Sequence, residues 1–204
     1  MKKTFLLLLV LFSNSLVAQA DKDSLLAQDV DVIIEELRFM HEIDQGARKY
    51  LDYGTFNKSV TDSIEKMSKE EIKMAEESLS LSKTSKAQIW DNILSPLDSL
   101  KAGRLIEIIE KYGFPSTKRL EKYSGQDVDF TARTILVHTP FSFKDQLLPI
   151  LEREYKAGNL EDQCEYGYLL WHLNGRSDFS YMLNNGYEMK TNPDGTFAIT
   201  SKCE

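Results

Sequence analysis

The chain lacks the short motifs that announce many catalytic folds. It has no Gly-x-Ser-x-Gly elbow, no Gly-x-x-x-x-Gly-Lys loop, no Gly-x-Gly-x-x-Gly after a strand and no His-Glu-x-x-His pair. A serine-hydrolase nucleophile turn, a phosphate-cradling loop, a dinucleotide fingerprint and a zinc-protease helix are thereby set aside. Histidine occurs three times and cysteine twice, with no Cys-x-x-Cys and no histidine at ligand spacing from a cysteine, so neither a metal nor a cofactor is expected. Positive charge is scarce too. Lys and Arg number 25 against 32 Asp and Glu, for a net charge of −7. No basic cluster stands out, which disfavours nucleic acid and anionic membrane surfaces as partners. Long apolar runs are missing as well. The one candidate, Phe5 to Phe12, is about eight residues, well short of the roughly 20 a membrane-spanning helix needs.

What is present at the start has the order of an export signal. Lys2 and Lys3 precede the apolar block, and Val17-Ala18-Gln19-Ala20 places small residues at the cleavage positions before Asp21. Residues 1–20 are expected to be a signal peptide and 21–204 a single soluble domain, periplasmic or secreted. No membrane anchor is expected to remain. No cysteine follows the apolar block, so acylation of a new amino-terminal cysteine is excluded. Loss of Lys2 and Lys3 takes the charge from −7 to about −9. In an oxidising compartment Cys164 and Cys203 are expected to pair. They would close a loop of about 40 residues, worth roughly 4 kcal/mol by loop-closure entropy.

The periodicity predicts a mainly α, compact domain of about six helices with a small C-terminal β-hairpin, residues 180–204 forming hairpin and tail. A long helix is read from Ser24 to Tyr53. Thr55 to Thr61 is a polar break in which Thr61-Asp62 could cap the next helix. One or two helices with a solvated face follow over Ser63–Ile93. Ser95-Pro96-Leu97-Asp98 reads as a helix start, with Ser as N-cap, Pro first and an acid in the opening turn. That helix, with Leu100, Leu105, Ile106, Ile108 and Ile109, stops at Tyr112-Gly113-Phe114-Pro115. A link leads to an apolar helix from Gln126 to His138. Another spans Ser142 to Gly158, with Pro149 expected to kink or divide it, and an aromatic-rich helix covers Leu160–Leu173. Asn192-Pro193-Asp194-Gly195 is the hairpin turn between Tyr187–Lys190 and Thr196–Thr200.

One constellation on the first helix invites chemistry. At 100 degrees per residue, His41, Asp44, Gln45 and Arg48 continue the face on which Val30, Ile33, Ile34 and Leu37 lie. Ionisable groups on a face that points inward need partners. On one reading Asp44 and Arg48 form a partly buried i, i+4 pair that organises helix packing, with Gln45 and His41 bonding loop carbonyls. On the other, these groups and His138 line a pocket that binds an anionic group or moves a proton. His138, ahead of Thr139-Pro140, also reads as a helix C-cap, and His172, beside Trp171, as a packed residue near the core.

The order of short motifs carries a resemblance. Asp44-Gln45-x-x-Arg48, then Asp91-Asn92, then Ile108-Ile109-Glu110-Lys111-Tyr112-Gly113-Phe114-Pro115, then Ile135-Leu136-Val137-His138 resembles an uncharacterised family of exported proteins, many from Bacteroidota, known only as a domain of unknown function. The likeness spans about Leu37 to Arg176. It implies Asp44, Gln45, Arg48 and His138 as the motif polar residues and implies no activity. The family's later Asp-Arg pair and Gln-x-Tyr-Gly-Thr-Gln-like segment are replaced here by Leu173-Asn174-Gly175-Arg176 and Asn184-Asn185-Gly186-Tyr187. On these grounds the chain is expected to be a binding module of the cell envelope, its partner a ligand or envelope protein, with a small hydrolase or acid-base enzyme built on Asp44, Arg48 and His138 as the alternative.

Overall fold

A computed structural model describes residues 2–79 and 81–203. It is mainly helical, with one small antiparallel sheet, but among the described residues the helices outnumber the six expected, because caps and turns divide the predicted segments. Helix α1 runs unbroken over Lys2–Tyr53, so the expected leader and the first helix of the body are continuous. Among the described residues no helix is long and apolar enough to cross a membrane.

The stretch expected to hold one or two helices divides further, because polar caps interrupt it. Asn57 accepts amides of Ser59 and Val60 and starts α2 (Lys58–Ile64). Ser68 and Glu71 exchange side-chain-to-backbone bonds at the head of α3 (Lys69–Leu79), and Ser82 caps α4 (Lys83–Ile89). All three satisfy orphan amides at a helix start, the Ser68–Glu71 pair reciprocally. Thr61 is no cap; it is buried inside α2 and donates to the Lys58 carbonyl.

Ser95 is not an N-cap either. The chain stays helical from Lys83 through a π-helical turn, Trp90–Leu94, into α5 (Ser95–Tyr112). The Ser95 amide reaches back five residues to the Trp90 carbonyl. A widened turn of this kind accommodates Pro96, which has no amide to donate and whose ring would crowd a regular α-turn. α5 ends as expected at Gly113, with φ +76°. A Cβ there would fall 2.7 Å from the Asn159 amide nitrogen and 2.9 Å from the Arg119 guanidinium, so both conformation and space demand glycine.

The expected link after Pro115 contains α6 (Thr117–Ser124). Its buried Arg119 donates to the Tyr112 and Phe114 carbonyls and to Asp23, tying the end of α5 to α1. The expected helix from Gln126 shrinks to α7 (Arg133–Val137). Upstream of it burial alternates, Val128, Phe130 and Ala132 inside and Asp127 and Asp129 outside. That period of two belongs to extended backbone. α8 (Lys144–Lys156) passes through Pro149 undivided, anchored by buried Leu147, Ile150, Leu151 and Glu154. α9 (Gln163–Leu173) is capped by Asp162, and the one-turn α10 (Ser180–Leu183) leads into the hairpin.

Strands β1 (Tyr187–Thr191) and β2 (Phe197–Ser201) pair antiparallel, Tyr187 opposite Ser201 and Thr191 opposite Phe197. Cys164 on α9 is bonded to Cys203 beyond β2, which fastens the tail to the body. The core gathers Leu26, Ile33, Leu37, Leu105, Ile109, Leu120, Leu136, Leu151 and Leu169 from α1 and α5 to α9, with Phe114 from the turn after α5. α1 packs on α5, α6 and α7, and the site lies where the second half of α1 meets α5 and the end of α7.

Candidate functional site

The inward face of α1 changes character halfway along, as its sequence implies. Val30, Ile33, Ile34, Leu37 and Met40 are buried apolar residues; one turn further Asp44 is wholly buried. A carboxylate cannot stay charged there without partners. It has four: Lys101 on α5 bonds Oδ1, while Gln45 Nε2 (2.8 Å), His138 Nδ1 (2.7 Å) and Arg48 Nε (3.3 Å) converge on Oδ2. Burial by itself pushes the Asp44 carboxyl up, but hydrogen bonds from His138, Lys101 and Arg48 outweigh it and hold the group well below the usual carboxylate range.

The same cations serve a second acid. Arg48 Nη2 lies 2.8 and 2.9 Å from the two oxygens of Asp98, and Lys101 Nζ lies 3.0 Å from Asp98 Oδ1. Asp98 and Lys101 are both nearly fully buried. Asp44, Arg48, Asp98 and Lys101 thus form a closed ring of alternating charge, net zero, with an i, i+4 pair on α1 facing an i, i+3 pair on α5. Trp90, on the π-turn, covers the ring's outer side with its face 5.4 Å from the Arg48 guanidinium.

His138 joins from the end of α7. Its backbone amide closes the helix, but its imidazole leaves the helix carbonyls and turns to Asp44, so the C-cap expected of the imidazole does not form. At 2.7 Å from a carboxylate, Nδ1 carries the proton. It cannot then accept from Arg48 Nε, 3.2 Å away, and that N–H serves Asp44 Oδ2. Nε2 has no partner among the described residues, and the ring is 27 % exposed against 18 % for Arg48 and none for Asp44. The cluster is sealed at its centre and open at one lip.

Asp44, Gln45, Arg48 and His138 are therefore together, but the roles expected for two neighbours differ. Gln45 bonds Asp44 and not a loop carbonyl. Among the described residues His41 makes no loop bond: its buried Nδ1 has no partner there, and its ring sits 6.0 Å from Phe130. Asp98 and Lys101 were hidden in sequence, Asp98 behind its reading as a first-turn acid. A signal existed: with Leu94 at the end of the π-turn and Leu105, Ile108 and Tyr112 on α5, they share one three-four-spaced stripe, all buried, while Leu100 points into solvent.

Beside the cluster, the residues flanking His138, Val137 and Thr139, line a half-open cavity of about 280 Å³. Leu136 and Leu173 form its buried base; His172 and Arg176 also line it. His172 is thus a cavity residue more than a core one. Burial, reinforced by Arg176, His138 and Arg133, pushes its imidazole down to about 4, so it is neutral near pH 7. Compared with family models, curated proteins and solved structures, the chain matches none.

Proposed function

We propose that the chain is an exported helical module of the cell envelope that binds a small ligand in the cavity next to the ion ring, and that it groups with the exported family its motif order resembles. One observation carries the choice of binding over chemistry: every acceptor direction of Asp44 is taken by a protein donor. A carboxylate saturated in this way and shut from solvent holds three helices in register and has no lone pair left for a substrate. Binding needs a rigid wall beside free volume, and the segment Leu136–Thr139 supplies both. Export is supported by the basic, apolar and small-residue order of residues 1–20.

The test is native mass spectrometry of the protein recovered from periplasm or medium. The expected result is a first residue of Asp21 and a small-molecule adduct that Val137→Trp, which fills the cavity, no longer carries. A protein that stays in the cytosol with its leader, or an adduct that Val137→Trp retains, overturns the proposal. A second reading has its own support. Nδ1 of His138 is held by Asp44 and Nε2 is unengaged among the described residues, the arrangement of an oriented general base. Turnover of activated esters that His138→Gln abolishes at unchanged melting temperature would favour it.

A further inference from the structure

The protein is acidic and its arginines are otherwise spoken for. Five of the seven, Arg38, Arg48, Arg104, Arg119 and Arg153, make ion pairs with carboxylates. Among the described residues Arg133 and Arg176 make none, and both lie close enough to His172 to act on it. Arg133 is stacked over Tyr168; Arg176 has no side-chain partner among the described residues and is an exposed residue of the cavity lining. Its backbone, at φ +60°, is the only non-glycine among the described residues in the left-handed region. L side chains avoid that conformation, and it recurs where a residue is held for a ligand.

The other polar groups narrow the ligand further. Thr139 gives its hydroxyl proton to the Ile135 carbonyl, so it offers a ligand only an acceptor. Neutral His172 has one donor and one acceptor. Among the described residues of the lining, one guanidinium is then the sole charge, and it matches a single negative charge on a ligand. The base and walls, Leu136, Val137 and Leu173, are apolar. At about 280 Å³ the cavity is at the small end of the range of ligand pockets, which suits a small organic body.

We infer that the cavity takes a small organic monoanion, a carboxylate on a short apolar body, with its charged end on Arg176 and its apolar part against Leu136, Val137 and Leu173. The inference rests on the reading of the protein as a binding module and names the ligand class of that site.

The test is calorimetric titration of the purified protein with hexanoate, and with hexan-1-ol as the uncharged control. Hexanoate is expected to bind at least about tenfold more tightly than hexan-1-ol, and Arg176→Gln to erase that difference. Val137→Trp is expected to abolish binding of both. Arg176→Gly, which relaxes the backbone, should lose hexanoate while melting no lower than the wild type. Equal affinity for the two probes, or full hexanoate affinity in Arg176→Gln, overturns the monoanion inference. If Val137→Trp still abolishes binding in that case, the binding-module reading stands. Hexanoate binding that survives Val137→Trp places the anion elsewhere and sinks the inference. A wild-type protein that binds neither probe removes both the inference and the cavity as a ligand site.

Discussion

Replacing Lys101 by Met takes one of two cations out of the ring and leaves Asp44 and Asp98 facing a single guanidinium. Methionine keeps the length and apolar stem of lysine, so the packing against α1 is largely preserved and the change is one of charge. The structure sets the scale: Lys101, Asp44 and Asp98 are each at least nine-tenths buried, where removal of one partner of an ion pair is destabilising by about 3 to 5 kcal/mol. Total stabilities lie at about 5 to 15 kcal/mol, so a large share would be lost. With roughly 2 to 4 °C per kcal/mol in a domain of this size, the melting temperature should fall by about 6 to 20 °C. Thermal and urea unfolding at pH 7, followed by far-ultraviolet circular dichroism, measure the two quantities. The companion is the double variant Asp98→Asn with Lys101→Met, which restores neutrality and should lose about 1 to 3 kcal/mol less than the two single losses combined. Raising the salt concentration should change little, because the ring is shielded from counter-ions. A loss below about 1 kcal/mol for Lys101→Met, or strict additivity in the double variant, would refute the argument that the ring is a closed, mutually dependent unit.

Two buried groups should tilt the pH profile in opposite directions. Burial raises the Glu165 carboxyl to about 7 from 4.5, so the folded state holds a proton the unfolded state releases, and stability falls as pH rises between those values. The lowered His172, about 4 against 6.5, does the reverse: the unfolded state takes the proton first, and stability falls as pH drops through that window. Glu165→Gln should therefore leave a profile that rises from about pH 4.5 to 6.5, and His172→Gln one that declines; unfolding midpoints across about pH 4 to 8 that keep the wild-type shape in both variants would contradict this. For the tail, thiol titration of denatured, unreduced protein should find no free cysteine, since Cys164 and Cys203 are bonded. Gly186→Ala should release both thiols, because its Cβ would fall 2.6 and 2.9 Å from the two sulfurs at a backbone φ of +83°; oxidised, normally stable Gly186→Ala would show that this close approach is not required.

The hairpin, the stop at Gly113 and the inward turn of Asp44 were legible because each depends on neighbours in sequence. Turn residues, a left-handed cap and a helical face are local properties. The errors share a cause as well. Ser95-Pro96 has the chemistry of a helix start, yet the π-turn at Trp90–Leu94 absorbs the proline and the helix runs through. Val128 and Phe130 are apolar enough for a helix, but their burial alternates because the Val128 amide bonds the Glu121 side chain and the Phe130 carbonyl accepts from Thr117. Packing overrode local preference at both places.

What the sequence alone determined was need: an acid on the buried face of a helix must find company. Tertiary structure decided who answers. Asp98 and Lys101 on α5 and His138 at the end of α7 are brought to Asp44 from 54 to 94 positions away, distances over which side-chain spacing carries no information. The cavity is likewise a product of packing alone, since Thr139, His172 and Arg176 share a wall only once α7 and α9 lie side by side.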